Sequence, residues 1–162
     1  MSIVAARIDN RLLHGIVATQ WVPQYRPQRV MVVDDEYAGN PTKKAGMKMA
    51  KPAGIALSII SEETALANFA AGKYDDHTVF VIAREPSTIR AIQEAGQEIP
   101  ALVIGGTVTP AEGVEAMQVG RRAYVTPAEA ADLQAIAVAG VPITVQYVPA
   151  DKPEPLSKYI SF

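Results

Sequence analysis

Arg11 and His14 stand three positions apart, with Asp9 upstream and Gly15 immediately after the histidine. These types in this order suit a phosphoryl acceptor. A neutral ring nitrogen is available near physiological pH and can form a covalent intermediate. Arg11 offers planar, paired donors to phosphate oxygens and keeps its charge. Asp9 can accept from the second ring nitrogen of His14 and set its tautomer. Gly15 lets backbone amides approach a phosphate closely at a helix start. Arg-x-x-His is a short pattern, and a histidine near a strand end is commonly structural, so its context must carry the argument.

That context is a set of strand ends. In an open α/β sheet, ligands bind beyond the carboxyl ends of the strands. Asp9 to His14 follows a first strand over Ser2 to Ile8, and Gly105-Gly106 follows a fifth over Ala101 to Ile104. The glycine pair can add amide donors opposite His14. Arg84 follows a fourth strand over Thr78 to Ala83 and can reach the same rim as a weaker phosphate ligand. Arg7 is expected in or just after the first strand, paired with an acid. Asp34-Asp35-Glu36 follows a second strand over Gln28 to Val33; it reads as a solvated turn in preference to a Mg²⁺ site. His77 reads as an exposed turn residue. Lys43, Lys44, Lys48 and Lys51 read as a solvated helix face able to meet an acidic partner. Trp21 and Tyr25 read as core or subunit contacts.

The remaining elements alternate with these strands. Helices are expected over Gly15 to Val22 and Pro41 to Lys51. Another runs from a Ser61 cap to Ala71, and a fourth over Pro86 to Ala95. Thr126 opens a last helix, with Pro127 at its first position and Glu129 in the capping-box place. Further strands are expected over Ile55 to Ile60, Arg122 to Val125 and Ile143 to Val148. The class is α/β: a single domain with a mainly parallel sheet of six to seven strands and helices on both faces. Residues 149–162 read as an extended or docked tail.

The chain has 162 residues, 49% hydrophobic, enough for one domain with a real core. Its net charge of −2 and 6% aromatic content give no case for nucleic acid. There is no cysteine, hence no thiolate nucleophile or disulfide. No apolar run reaches the ~20 residues of a membrane span, and the N-terminus has no signal-peptide layout. A cytoplasmic protein is expected. No phosphate loop supports a nucleotide kinase.

The run Arg7-Ile8-Asp9-Asn10-Arg11-Leu12-Leu13-His14-Gly15 resembles the active-site segment of IIB subunits in the mannose/fructose/sorbose class of the bacterial sugar phosphotransferase system. That segment is close to R-I-D-D-R-L-I-H-G-Q-V. The likeness continues through Arg29 to Glu36, Lys51 to Ile55, Val103 to Gly106, Gly140 to Ile143 and Val148 to Asp151. It implies that His14 is phosphorylated, at Nδ1, by a IIA partner. The phosphoryl group then passes to a sugar during uptake through a membrane IIC/IID complex. It implies no cofactor, no metal and a homodimer, with the chain peripherally associated with the membrane transporter. Three departures stand out: Asn10 for an acid, Ile16 for a polar residue, and Ile104 where an asparagine is common. Ile16 and Ile104 keep open a regulatory paralogue acting by protein–protein interaction. The alternation of elements alone keeps open a small flavodoxin-like nucleotide- or flavin-binding module.

Overall fold

A computed structural model describes residues 2–162. Its strands are β1 (Ile3–Asp9), β2 (Arg29–Val33), β3 (Ala56–Ile60), β4 (Val79–Ala83), β5 (Leu102–Gly106), β6 (Met117–Gly120), β7 (Ala123–Val125), β8 (Ile143–Val145) and β9 (Glu154–Pro155). Its helices are α1 (Val22–Tyr25), α2 (Asp35–Ala38), α3 (Pro41–Lys48), α4 (Glu62–Ala70), α5 (Pro86–Glu94) and α6 (Pro127–Val138). A π-helical stretch, Val17–Trp21, leads into α1, and a 3₁₀ turn, Leu156–Lys158, follows β9. Seven strands form one sheet in the order β3-β2-β4-β1-β5-β8-β9. All its pairings are parallel except β8 with β9.

The sheet is covered on both faces because its strands are apolar on both. Met31 and Val33 of β2, Val79 and Val81 of β4, and Leu102 and Ile104 of β5 join one core with Phe69 of α4, Ile89 of α5 and Leu133 of α6. Val30, Val32, Phe80, Ile82 and Val103 join the other, with Trp21 and Met47. Period-two alternation explains the division. It also places Arg7 and Asp9 of β1 on the same face as Ala5, under the helix that carries Trp21.

Local signals set the helix starts. Thr126 Oγ1 accepts from Glu129 N at 3.2 Å while Glu129 Oε1 accepts from Thr126 N at 2.9 Å, the expected capping box. Ser61 Oγ accepts from Thr64 N at 3.1 Å, as its N-cap reading requires.

Four expectations need correction. Arg122 to Val125 does not join the main sheet; β7 pairs antiparallel with β6 in a separate hairpin. The first helix continues past Val22 to Tyr25, through Pro23. Pro23 has no N–H to give the carbonyl four residues back, and the wider π-helical turn before it accommodates that gap. The last long strand stops at Val145, because the chain turns at 147–150 and returns as β9. Helix α3 ends at Lys48, three residues before Lys51. No helix among the described residues is long and apolar enough to cross a membrane.

Candidate active site

Asp9 ends β1 and is 1% exposed. A carboxylate so buried needs its lone pairs occupied. Its Oδ2 accepts from Arg7 Nε at 3.2 Å and faces His14 Nε2 at 3.1 Å. Its Oδ1 accepts from Arg11 N at 3.0 Å. A carboxylate at this position only accepts, so the proton of a neutral His14 ring sits on Nε2. Nδ1 then carries the free lone pair. The His14 side chain is 12% exposed.

The intervening loop turns sharply. Leu12 N donates to Asp9 O at 3.1 Å, and Leu12 has φ of 58°. A left-handed leucine costs about 1–3 kcal/mol. Leu12 is fully buried, and burying a leucine side chain returns about 1.5–3 kcal/mol, so the turn holds. Helical geometry begins at residue 15, where Ala18 N donates to His14 O at 2.9 Å. His14 therefore sits at a helix N-terminus, whose first amides lack intrahelical acceptors and favour an anion. Gly15 is exposed, with open space where a Cβ would be.

Arg7 fixes Asp9 from beneath. It is fully buried, and desolvation by that burial pulls its pKa down while Asp9 opposes the shift. Its Nη1 donates to Gln146 O at 3.1 Å and its Nη2 to Tyr147 O at 2.9 Å. The guanidinium stacks on Trp21, 4.6 Å from the ring centroid. Trp21 Nε1 also donates to Tyr147 O, at 2.9 Å, so Trp21 is a core residue here.

Tyr147 is the residue that sequence reasoning missed. Its carbonyl joins Arg7 to Trp21, and its hydroxyl accepts from Arg11 Nη2 at 2.8 Å. Arg11 is thereby held beside the His14 loop. No local pattern around Tyr147 announces this, because its partners lie 126 to 140 residues away in the chain.

The structure brings His14, Asp9 and Arg11 together, with Arg7 paired to an acid as expected, that acid being Asp9. Arg84 is a correction. Its Nε and Nη2 donate to Asp34 Oδ1 and Oδ2 at 2.7 and 2.8 Å, and Nη2 also reaches Glu36 at 2.9 Å. These bonds raise its pKa, Asp34 foremost. Two carboxylates occupy the fork that a phosphate would need, and the acidic turn weighed for Mg²⁺ holds this arginine instead. Gly105 sits at the site for space: a Cβ there would lie 2.0 Å from Arg7 Nη2. Gly106 O accepts from Asn10 N at 2.9 Å, which ties the loop to β5. Ile104 faces the opposite core and does not line the site, so it says nothing about site polarity. Ile16 is half-buried, packed against the core on the Trp21 face. His77 is half-buried, with no hydrogen-bond partner for Nε2 among the described residues. No group of three or more metal-ligating side chains occurs among the described residues.

Residues 3–162 match the profile of a family described as the PTS system sorbose subfamily IIB component. The sorbose-specific EIIB component of Klebsiella pneumoniae is 33% identical over 106 residues, 65% of this chain and 65% of that protein. The mannose-specific EIIAB component of Escherichia coli K12 is 30% identical over 106 residues, 65% of this chain and 33% of that protein. The chain thus spans less than two thirds of either relative's length. The crystal structure of the IIBSor domain of the sorbose permease from K. pneumoniae superposes with a TM-score of 0.89 at 26% identity, covering 98% of this chain and 95% of that one.

Proposed function

This chain belongs to the sorbose subfamily of phosphotransferase-system IIB components, and on that premise we propose that His14 Nδ1 is its phosphoryl acceptor. The donor is a IIA partner and the final acceptor a sugar moving through a membrane IIC/IID complex. The chain works at the cytoplasmic side of that complex, as a homodimer. The names of relatives specific for sorbose and mannose support a sugar as the final acceptor. The mannose-specific relative, named EIIAB, supports a IIA donor.

The observation that carries this reading is the Asp9–His14 contact through Nε2 at 3.1 Å. With that nitrogen engaged, the Nδ1 lone pair attacks phosphorus on the donor's phosphohistidine. The donor P–N bond breaks, and its electron pair returns to the donor imidazole. Arg11 and the first amides of the helix balance charge on the equatorial oxygens, where phosphoryl transfer needs most help. In the second step a sugar hydroxyl attacks phosphorus and its proton passes to solvent, while the P–N bond to His14 breaks and its electron pair returns to Nδ1. This makes the chain a protein-N(π)-phosphohistidine–sugar phosphotransferase.

The test is phosphorylation by phosphoenolpyruvate through the general phosphotransferase proteins and a IIA partner. The wild type takes up about one acid-labile phosphoryl group per chain, as a covalent histidine intermediate requires. His14→Ala takes up none. Undiminished label in His14→Ala overturns the proposal.

A further inference from the structure

Beside the His14 loop, with no part of its wall formed by His14, lies a cavity of about 500 Å³. Three arginines, Arg11, Arg121 and Arg122, line it, together with four hydroxyl-bearing residues, Thr107, Thr109, Tyr124 and Tyr147. No lining residue carries a carboxylate. Three arginines elsewhere are neutralised, whereas Arg26 and Arg29 also lack a carboxylate partner but do not line this cavity. Arg7 is paired with Asp9, Arg84 with Asp34 and Glu36, and Arg90 with Glu94 and Asp132. Among the described residues, Arg11, Arg121 and Arg122 have no such carboxylate within ion-pair distance. In a chain of net charge −2, three unneutralised arginines around one cavity form a local excess that an anion relieves.

The wall is built into the fold. The β6–β7 hairpin turns at Arg121 and Arg122 and docks on the end of β5. Thr107 N donates to Arg122 O at 2.9 Å, and Tyr124 N donates to Thr107 Oγ1 at 2.6 Å. Arg122 lies 4.5 Å above the Tyr147 ring, whose hydroxyl holds Arg11. The guanidiniums suit a phosphate, the hydroxyls suit a polyhydroxylated body, and the volume falls in the range of small-ligand sites.

We infer that this cavity binds a small phosphate monoester of the sugar-phosphate class, and that its occupancy engages Arg11 and slows phosphoryl uptake at His14. The binding half stands on the cavity alone; the inhibitory half rests on the His14 proposal.

Titration of the full chain at low ionic strength, followed by backbone amide NMR, tests the binding. The probes are glucose 6-phosphate, fructose 1-phosphate, inorganic phosphate and glucose. At least one sugar phosphate shifts the amides of Thr107, Arg122 and Tyr124 saturably, and glucose leaves them in place. Inorganic phosphate binds about tenfold more weakly, the loss expected from missing hydroxyl contacts. Arg122→Gln and Arg121→Gln, each with a folded spectrum, weaken sugar-phosphate binding about tenfold by removing a charge-assisted contact. His14→Ala binds like the wild type. No saturable shift with either sugar phosphate, equal affinity for inorganic phosphate, or wild-type binding in both arginine variants overturns the inference. Phosphorylation of His14 then slows as the bound sugar phosphate saturates; binding without slowing overturns the inhibitory half. If His14 takes no label at all, the phosphoryl-acceptor reading fails while the titration still decides the binding.

Discussion

Gly105 and Arg7 compete for one volume. A Cβ on Gly105 would lie 2.0 Å from Arg7 Nη2 and 2.3 Å from its Cζ. Gly105 shares a sheet face with Val103, the β5 residue in register with Arg7. The missing side chain is therefore what lets a guanidinium lie buried under the Asp9 carboxylate. Gly105→Ala is expected to destabilise the fold by about 3 kcal/mol, the scale of a disrupted buried ion pair. Urea unfolding measures it; a change below about 1 kcal/mol, within the range of an ordinary substitution, would show that the pocket for Arg7 yields easily.

Asp9→Asn separates charge from shape. The amide keeps the size of the carboxylate but leaves Arg7 buried without a counter-charge, a loss of about 3–5 kcal/mol. It can also present an NH₂ group to His14 Nε2, which would reverse the tautomer. Uptake of label at His14 should fall at least about a hundredfold, because the reversed tautomer removes the Nδ1 lone pair that attacks phosphorus. Normal uptake in a folded Asp9→Asn chain would remove Asp9 from the orienting role.

Arg11→Lys keeps the charge and loses the fork. One ammonium cannot hold two phosphate oxygens in the same plane or keep the geometry of the Tyr147 contact. Labelling should slow at least about tenfold, the worth of one charge-assisted hydrogen bond. Because Arg11 is exposed, stability should change little.

Tyr147→Phe tests the positioning of Arg11 without touching the backbone carbonyl shared by Arg7 and Trp21. The melting curve should shift by less than about 1 kcal/mol, since the lost hydrogen bond is exposed. Labelling should still slow severalfold. If Arg11→Lys and Tyr147→Phe act through the same contact, the double variant will lose less than the product of the two effects. Multiplicative losses would place Tyr147 outside that linkage.

The Arg84 clasp should prove structural. Arg84→Ala is expected to leave labelling of His14 unchanged. Hydrogen bonds from Lys43 and then Arg84 hold the Glu36 carboxyl below its ordinary 4.5. The sign follows from the lowered value: whatever the clasp contributes is present above pH 4.5 and is lost as pH falls through the depressed value. Glu36 and Lys43 are exposed and Arg84 partly so, so added salt should weaken the dependence. A steeper loss in Arg84→Ala than in the wild type on acidification would contradict this.

The sequence made the sheet and the Asp9–Arg11–His14 cluster legible because their signals are local. Strand β1, the His14 loop and the start of the next helix are contiguous, and Thr126 with Glu129 announces α6 within four residues. What stayed hidden depends on the fold bringing distant segments together. Tyr147 meets Arg11 across 136 positions, and Gly105 matters only because Arg7 lies on the next strand. The strand expected at Arg122 had the right composition, but nothing in a three-residue run says which sheet it joins. Arg84 had the right place at a strand end, yet its partners were the acids read as a solvated turn.

Histidine-ring NMR of the phosphorylated chain tests the central claim most directly. Long-range ¹H–¹⁵N correlations distinguish the two ring nitrogens of His14. The account predicts phosphorus on Nδ1, with Nε2 still protonated toward Asp9. Phosphorus on Nε2, or on any residue other than His14, would contradict it.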